Sequence, residues 1–176
     1  MLISGVGGLG HLAVQYAKAM GLQVCAVDVD AGKLAHAQGL GAEAVVNALD
    51  DLAVEAVKTL TGGGAHGVLI TAPSLSAFRQ GVAMTRKHGT CVLVGLPPGE
   101  VPVPLFDVVA NCITVRGSFV GTRQDMAEAL AFAAAGKVKA DIELQPLSAI
   151  NQVFERLEHG AVASRIMIEF PATTEV

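Results

Sequence analysis

Short apolar runs of strand length alternate along this chain with segments whose apolar positions recur at helical spacing. Strands are predicted at Leu2–Ser4, Gln23–Val29, Ala44–Asn47, Gly67–Thr71, Thr90–Gly95, Ile113–Gly117 and Arg165–Phe170. Between the first two, Leu9, Leu12, Ala13, Tyr16, Ala17 and Met20 step by threes and fours and by single residues, giving one continuously apolar helical face that Gly21 ends. Further helices are predicted at Ala31–Gln38, Asp51–Leu60, Leu75–Arg86 and Arg123–Ala135; Thr122 and Asp125 open the last with a capping-box pattern. Such alternation predicts an α/β fold: a doubly wound parallel sheet of six strands with right-handed crossovers and helices on both faces.

The tail departs from that rhythm. Ile150, Val153, Phe154 and Leu157 define an amphipathic helix stopped at Gly160, and one more strand follows. Residues 1–140 therefore read as the sheet-bearing domain, and 141–176 as a C-terminal helix and strand added after it.

Composition narrows the function classes. The chain has 176 residues, enough for one well-buried domain, and 52% of them are apolar. Alanine content, a sheet buried on both faces and a surface that meets another domain each account for that figure. With a net charge of −4 and no cluster of Lys and Arg, nucleic-acid and membrane-surface partners are not expected. No apolar run is long enough to span a bilayer, and no basic leader is seen. Cys25, Cys91 and Cys112 are widely spaced within apolar segments, as free thiols of a reducing, cytoplasmic compartment would be.

The most informative motif is Gly5-Val6-Gly7-Gly8-Leu9-Gly10, a full G-x-G-x-x-G between a predicted strand and a strongly periodic helix. In a Rossmann fold, with strand order 3-2-1-4-5-6, Gly5 permits the tight turn, Gly7 lets backbone approach a pyrophosphate, and Gly10 packs the helix on the sheet. The phosphates sit at the helix N-terminus, where free N–H groups and the dipole favour negative charge. Asp28 follows 18 residues after Gly10, at the end of the second strand, where a carboxylate accepts hydrogen bonds from the adenosine ribose. It would repel the 2′-phosphate of NADP, so NAD is the expected cofactor. Asp30 suits a helix N-cap better. Lys33 reads equally well as a ribose contact and as a solvated lysine.

No catalytic or metal set emerges. His11, His36, His66, His88 and His159 fall on different predicted elements, and no CxxC, HExxH or G-x-S-x-G spacing occurs. Binding chemistry is legible, and hydride-transfer machinery is not.

Four motifs in order, GVGGLGH at Gly5–His11, VDVD at Val27–Asp30 with Lys33, VGLPPG at Val94–Gly99 and SFVGTR at Ser118–Arg123, resemble the zinc-dependent alcohol dehydrogenases of the medium-chain superfamily, most closely the bacterial NAD-dependent ethanol-type enzymes. The resemblance runs from Leu2 to about Phe170. It implies that Gly5, Gly7, Gly8 and Leu9 face the pyrophosphate and that Asp28 and Lys33 face the ribose. It further implies that Thr71, Ala72, Val94, Gly95, Leu96, Ser118 and Val120 border the nicotinamide side, and that Arg165 pairs with the pyrophosphate. For the apolar members, core packing is an equal reading.

In that family the zinc ligands, proton relay and substrate pocket belong to a catalytic domain preceding the Rossmann unit. The resemblance thus implies a coenzyme domain that binds NAD(H), with zinc and the alcohol or aldehyde substrate held only by a domain outside this chain, and no turnover by the chain alone. It also implies a homodimer paired through the sixth-strand edge, Ile113 to Gly117. Two other readings stay open: a non-catalytic NAD-binding or interaction module, and the coenzyme domain of a zinc-free medium-chain reductase. Without a partner domain, the C-terminal helix and strand are expected to expose apolar surface or to repack.

Overall fold

The computed structural model describes residues 1–170; the end of the C-terminal segment, residues 171–176, lies outside the described residues. Six parallel strands form one sheet in the order β3-β2-β1-β4-β5-β6: β1 (Leu2–Ser4), β2 (Cys25–Asp28), β3 (Ala44–Asn47), β4 (Ala65–Ile70), β5 (Thr85–Leu93) and β6 (Thr114–Gly117). The strand order expected from the alternation is the one observed.

Side-chain alternation divides the core in two. Leu2, Val27 and Val68 point to one face, under α3 (Ala53–Thr61) and α4 (Leu75–Ala83), where Val57 and Phe78 cover them. Ile3, Ala26 and Val24 point to the other, under α1 (Gly10–Ala19) and α2 (Ala31–Gly39), which contribute Val14, Ala17 and Ala37. Adjacent residues such as Leu2 and Ile3 are both fully buried, on opposite sides. A strand buried on both faces must read as an unbroken apolar run, and this one does. Burial fades towards β6, all four of whose residues are exposed.

Several boundaries differ from expectation. Helix α4 stops at Ala83 because Thr85 already pairs with Ala65 of β4. Arg86–His88 then bulge outward before Thr90 pairs with Gly67, with His88 at a φ of +59°. A short helix, α5 (Leu105–Ala110), lies between β5 and β6, where none is predicted. The capping box at Thr122 is present and starts α6 (Arg123–Ala134).

The C-terminal addition is a strand pair rather than a lone strand: β7 (Ile142–Pro146) runs parallel to β8 (Arg165–Glu169), with α7 (Ile150–Glu158) as their crossover. β7 was not predicted. Its apolar Ile142 and Leu144 stand on the solvent side with Met167, so it has none of the buried run that marks the other strands. Exposure, not repacking, is the outcome here: Phe154 and Leu157 of α7 are more than half exposed, and only Val153 of that helix is buried.

Candidate functional site

At the carboxyl ends of β1, β2 and β4 the chain encloses a cavity of ≈ 660 Å³, within the size range of cofactor sites. Its floor is the glycine turn. Gly5 has a φ of +90°, and a Cβ there would stand 2.6 Å from the backbone nitrogen of Ala72; a Cβ on Gly10 would lie 1.8 Å from the Gly5 carbonyl oxygen. Only glycine fits either position, the first for its backbone conformation and both for close backbone approach. Gly7 differs: a Cβ would meet nothing within 4 Å, because it faces the cavity.

Helix α1 begins here without a side-chain cap and without an acidic residue in its first turn. Among the described residues no acceptor meets the N–H groups of Gly7, Gly8 and Leu9. An uncapped helix N-terminus with free amides facing a cavity can seat an anion. Arg165 of β8 stands beside it: the space next to Gly8 is filled by this guanidinium, whose Nη1 would be 3.0 Å from a Gly8 Cβ.

Asp28 is buried at the end of β2. Its Oδ2 accepts the Val6 N–H at 2.6 Å and its Oδ1 accepts the Asp30 N–H at 3.0 Å. The carboxylate therefore braces the glycine turn while both oxygens keep lone pairs for further donors. That bracing role was missed from sequence. The parallel register that sets Ser4 beside Val27 was the signal, since it brings the next residues of both strands together. Asp30 caps α2 as expected, accepting the Lys33 N–H at 2.9 Å. Lys33 lines the cavity, and its ammonium donates to the Gly160 carbonyl at 2.9 Å.

Nine of the residues singled out in sequence thus line one cavity: Gly5, Gly7, Gly8, Leu9, Asp28, Lys33, Thr71, Ala72 and Arg165. The Thr71 hydroxyl lies 2.7 Å from the Gly5 carbonyl, and the Ala72 N–H donates to Ser4 at 3.1 Å, so β4 is locked to the turn. Gly95, Leu96 and Ser118 line a second, apolar cavity of ≈ 540 Å³ next door. The two adjoin where Gly95 packs on Ala72. Val94 and Val120 line neither: the Val94 N–H bonds to Ile70, and Val120 is exposed at a φ of +46°. Cavity residues with no sequence signal include Gln80, Leu49, Val162 and Ser164.

A third cavity, lined by Lys58, Arg86, Lys87 and Asp107, lies near the opposite strand ends. The carboxyl ends of α3 and α4 converge there, and basic residues complement such helix ends. Among the described residues no three His, Cys, Asp or Glu side chains come together as a metal seat.

Residues 8–135 match the family model described as "Zinc-binding dehydrogenase". The chain belongs to the zinc-binding dehydrogenase family. It is 54% identical over 170 residues to an alcohol dehydrogenase of Moraxella sp. (strain TAE123), a match covering 97% of this chain and 50% of that protein. The solved alcohol dehydrogenase of the archaeon Aeropyrum pernix superposes with a TM-score of 0.87 at 36% identity, over 94% of this chain and 48% of that one. An acetophenone reductase from Geotrichum candidum, solved in complex with NAD, superposes with a TM-score of 0.82 at 30% identity, over 95% and 47%. The chain spans about half the length of these relatives, and the matched half is the Rossmann-type, coenzyme-binding one. No helix among the described residues is long and apolar enough to cross a membrane.

Proposed function

We propose that residues 1–140, with Arg165 supplied by the following segment 141–176, bind NAD(H) as the coenzyme half of an alcohol dehydrogenase. The observation that carries this is Asp28, buried at the cavity edge, braced by backbone and facing the space beside the glycine turn. The diphosphate rests on the amides of Gly7, Gly8 and Leu9 and is closed in by Arg165. Asp28 and Lys33 take the adenosine ribose, and Asp28 meets a 2′-phosphate with like charge. Thr71, Ala72, Gly95, Leu96 and Ser118 lead towards the nicotinamide, with Val94 and Val120 contributing only if the loops around them close. The bound cofactor supplies the hydride acceptor or donor; the residues of this chain bind and orient it.

The chain spans about half the length of its relatives; in this reading the other half holds zinc and the alcohol or aldehyde, and the chain alone turns over nothing. The exposed edge of β6, with Ile113, pairs with a second copy.

Titration with NADH and NADPH by fluorescence tests the cofactor reading. NADH is expected to bind more tightly, and Asp28→Asn to weaken NADH by about tenfold while narrowing the gap to NADPH, since hydrogen bonds to a charged group contribute about 1.5–3 kcal/mol. Equal or tighter binding of NADPH by the unaltered chain would reverse the preference assigned to Asp28, and no binding of either would end the reading.

A further inference from the structure

His11 is fully buried beside the glycine turn, yet it lines none of the three cavities described above. Its two ring nitrogens have opposite duties. Nδ1 lies 3.0 Å from the Gly7 carbonyl and must donate; Nε2 accepts the backbone N–H of Asp141 at 3.3 Å. One neutral tautomer satisfies both, so the ring is held in a single orientation.

Asp141 is more than a passive partner. Its carbonyl accepts the Arg165 N–H at 3.1 Å, at the Ile142 end of the β7–β8 pair, and the Arg165 side chain returns to Gly8. The contacts close a circuit: Gly7 to His11, His11 to the Asp141 peptide, that peptide to Arg165, and Arg165 back to the glycine turn. Among the described residues, its side-chain bridge between α1 and the C-terminal segment is the imidazole of His11. A second histidine supports it. His36 of α2 stacks on His11 with ring centroids 6.0 Å apart, and its Nε2 donates to the Asp141 carboxylate at 2.5 Å. The three elements that carry the glycine turn, the Asp30–Lys33 helix start and Arg165 are thus joined behind the cavity at Asp141, whose peptide meets His11 and whose carboxylate meets His36.

We propose that His11 is a positioning residue: it sets the glycine turn and Arg165 at the mutual distance at which both engage one diphosphate. The proposal rests on the dinucleotide reading above. Two binding groups on separate elements act together only if their separation is fixed beforehand, since a displacement of about 1 Å is enough to cost most of the benefit. Backbone amides at Gly7–Leu9 cannot follow a shifting Arg165, because Gly5 and Gly10 pin the turn to β4 and α1. The separation must be set from behind, where His11 is.

The test is a double-mutant cycle on this chain, with ADP-ribose as the ligand because it carries the diphosphate without the nicotinamide. His11→Asn keeps a donor near the Nδ1 position for Gly7 and loses the acceptor for Asp141. It is expected to weaken ADP-ribose binding by about tenfold in calorimetry, a size usual for coupled neighbours. In an Arg165→Ala background the same change should have almost no effect, because His11 acts through that arginine. Equal losses in both backgrounds would mean that His11 only stabilises the fold, and would overturn the proposal. If His11→Asn melts below the assay temperature, Asp141→Pro enters the cycle instead, deleting the N–H from the other side of the same bond, with Asp141→Ala, which loses only the carboxylate held by His36, as its reference; the loss of Asp141→Pro beyond Asp141→Ala carries the same expectation. Failure of the unaltered chain to bind ADP-ribose would instead sink the dinucleotide reading, and this proposal with it.

Discussion

Cys25 and Cys91 show how burial alone sets the chemistry of a side chain. Both lie in the core under α3 and α4, and loss of hydration pushes each thiol up from 9.0 to about 11. Cys112, exposed on the turn between α5 and β6, lacks that protection. At neutral pH an aromatic disulfide reagent is expected to titrate one thiol rapidly in the native chain and three in denaturant; three fast native thiols would contradict the packing around β2 and β5. The linkage sign follows. A thiol whose folded value is raised contributes stability that is fully present below 9.0 and is lost as pH climbs towards about 11. Urea midpoints should therefore fall between pH 9 and 11, and less steeply in a Cys25→Ala, Cys91→Ala chain.

Glycines of one motif separate fold from binding at the scale of the strand–turn–helix element. In Gly10→Ala the new methyl collides with the Gly5 carbonyl, and α1 must lift from the sheet at a cost of about 3 kcal/mol, the upper end for overpacking. In Gly7→Ala the methyl enters open cavity, so stability should stay within about 0.5 kcal/mol while NADH affinity is lost. Urea unfolding and NADH titration of the two variants should show opposite patterns; equal destabilisation would refute the geometry of the turn.

The C-terminal elements depend on charge instead. The Arg156 guanidinium, helped by Gln145, holds the Glu143 carboxyl down at about 2, tying α7 to β7. A depressed acid stabilises above its ordinary 4.5 and loses that contribution as pH falls towards about 2. Because the pair is exposed, the effect should be local: amides of β7 are expected to exchange faster below pH 4, while those of β1 do not change.

These elements were legible in proportion to how they are held. β1, β2 and β4 are buried on both sides and announce themselves as apolar runs. The start of β5 carries Arg86, Lys87 and His88 in its bulge, so its polarity hid a strand that backbone pairing enforces. β7 alternates apolar and polar residues from Ile142 to Gln145 but turns the apolar ones outward, so it lacks the buried apolar run that marks β1, β2 and β4. In the candidate site, the glycines and Asp28 could be named because backbone geometry restricts residue choice there. Gln80 and Val162 could not, because their places depend on contacts between distant segments; His11 stood in the GVGGLGH motif, but its link to Asp141 did not show in the sequence.

For the whole molecule, the uneven distribution of apolar surface points to assembly. β6 is an edge strand with every residue exposed, and Phe106, Phe119 and Val120 beside it are each more than three-quarters exposed. An open apolar edge invites pairing. Sedimentation velocity at tens of micromolar is expected to show a dimer, and Val115→Lys a monomer; a wild-type monomer at that concentration would remove the proposed interface.

Gln15 on α1 closes one side of its amide on the Lys139 N–H and the other on the Lys139 carbonyl, both at 2.9 Å. A side chain here imitates the edge of a strand. Such mimicry needs a donor and an acceptor together, so spontaneous deamidation to glutamate would set oxygen against oxygen at the carbonyl. A slow chemical clock would then loosen the stretch just before Asp141 from α1, and an ageing sample would lose that clasp without any break in the chain.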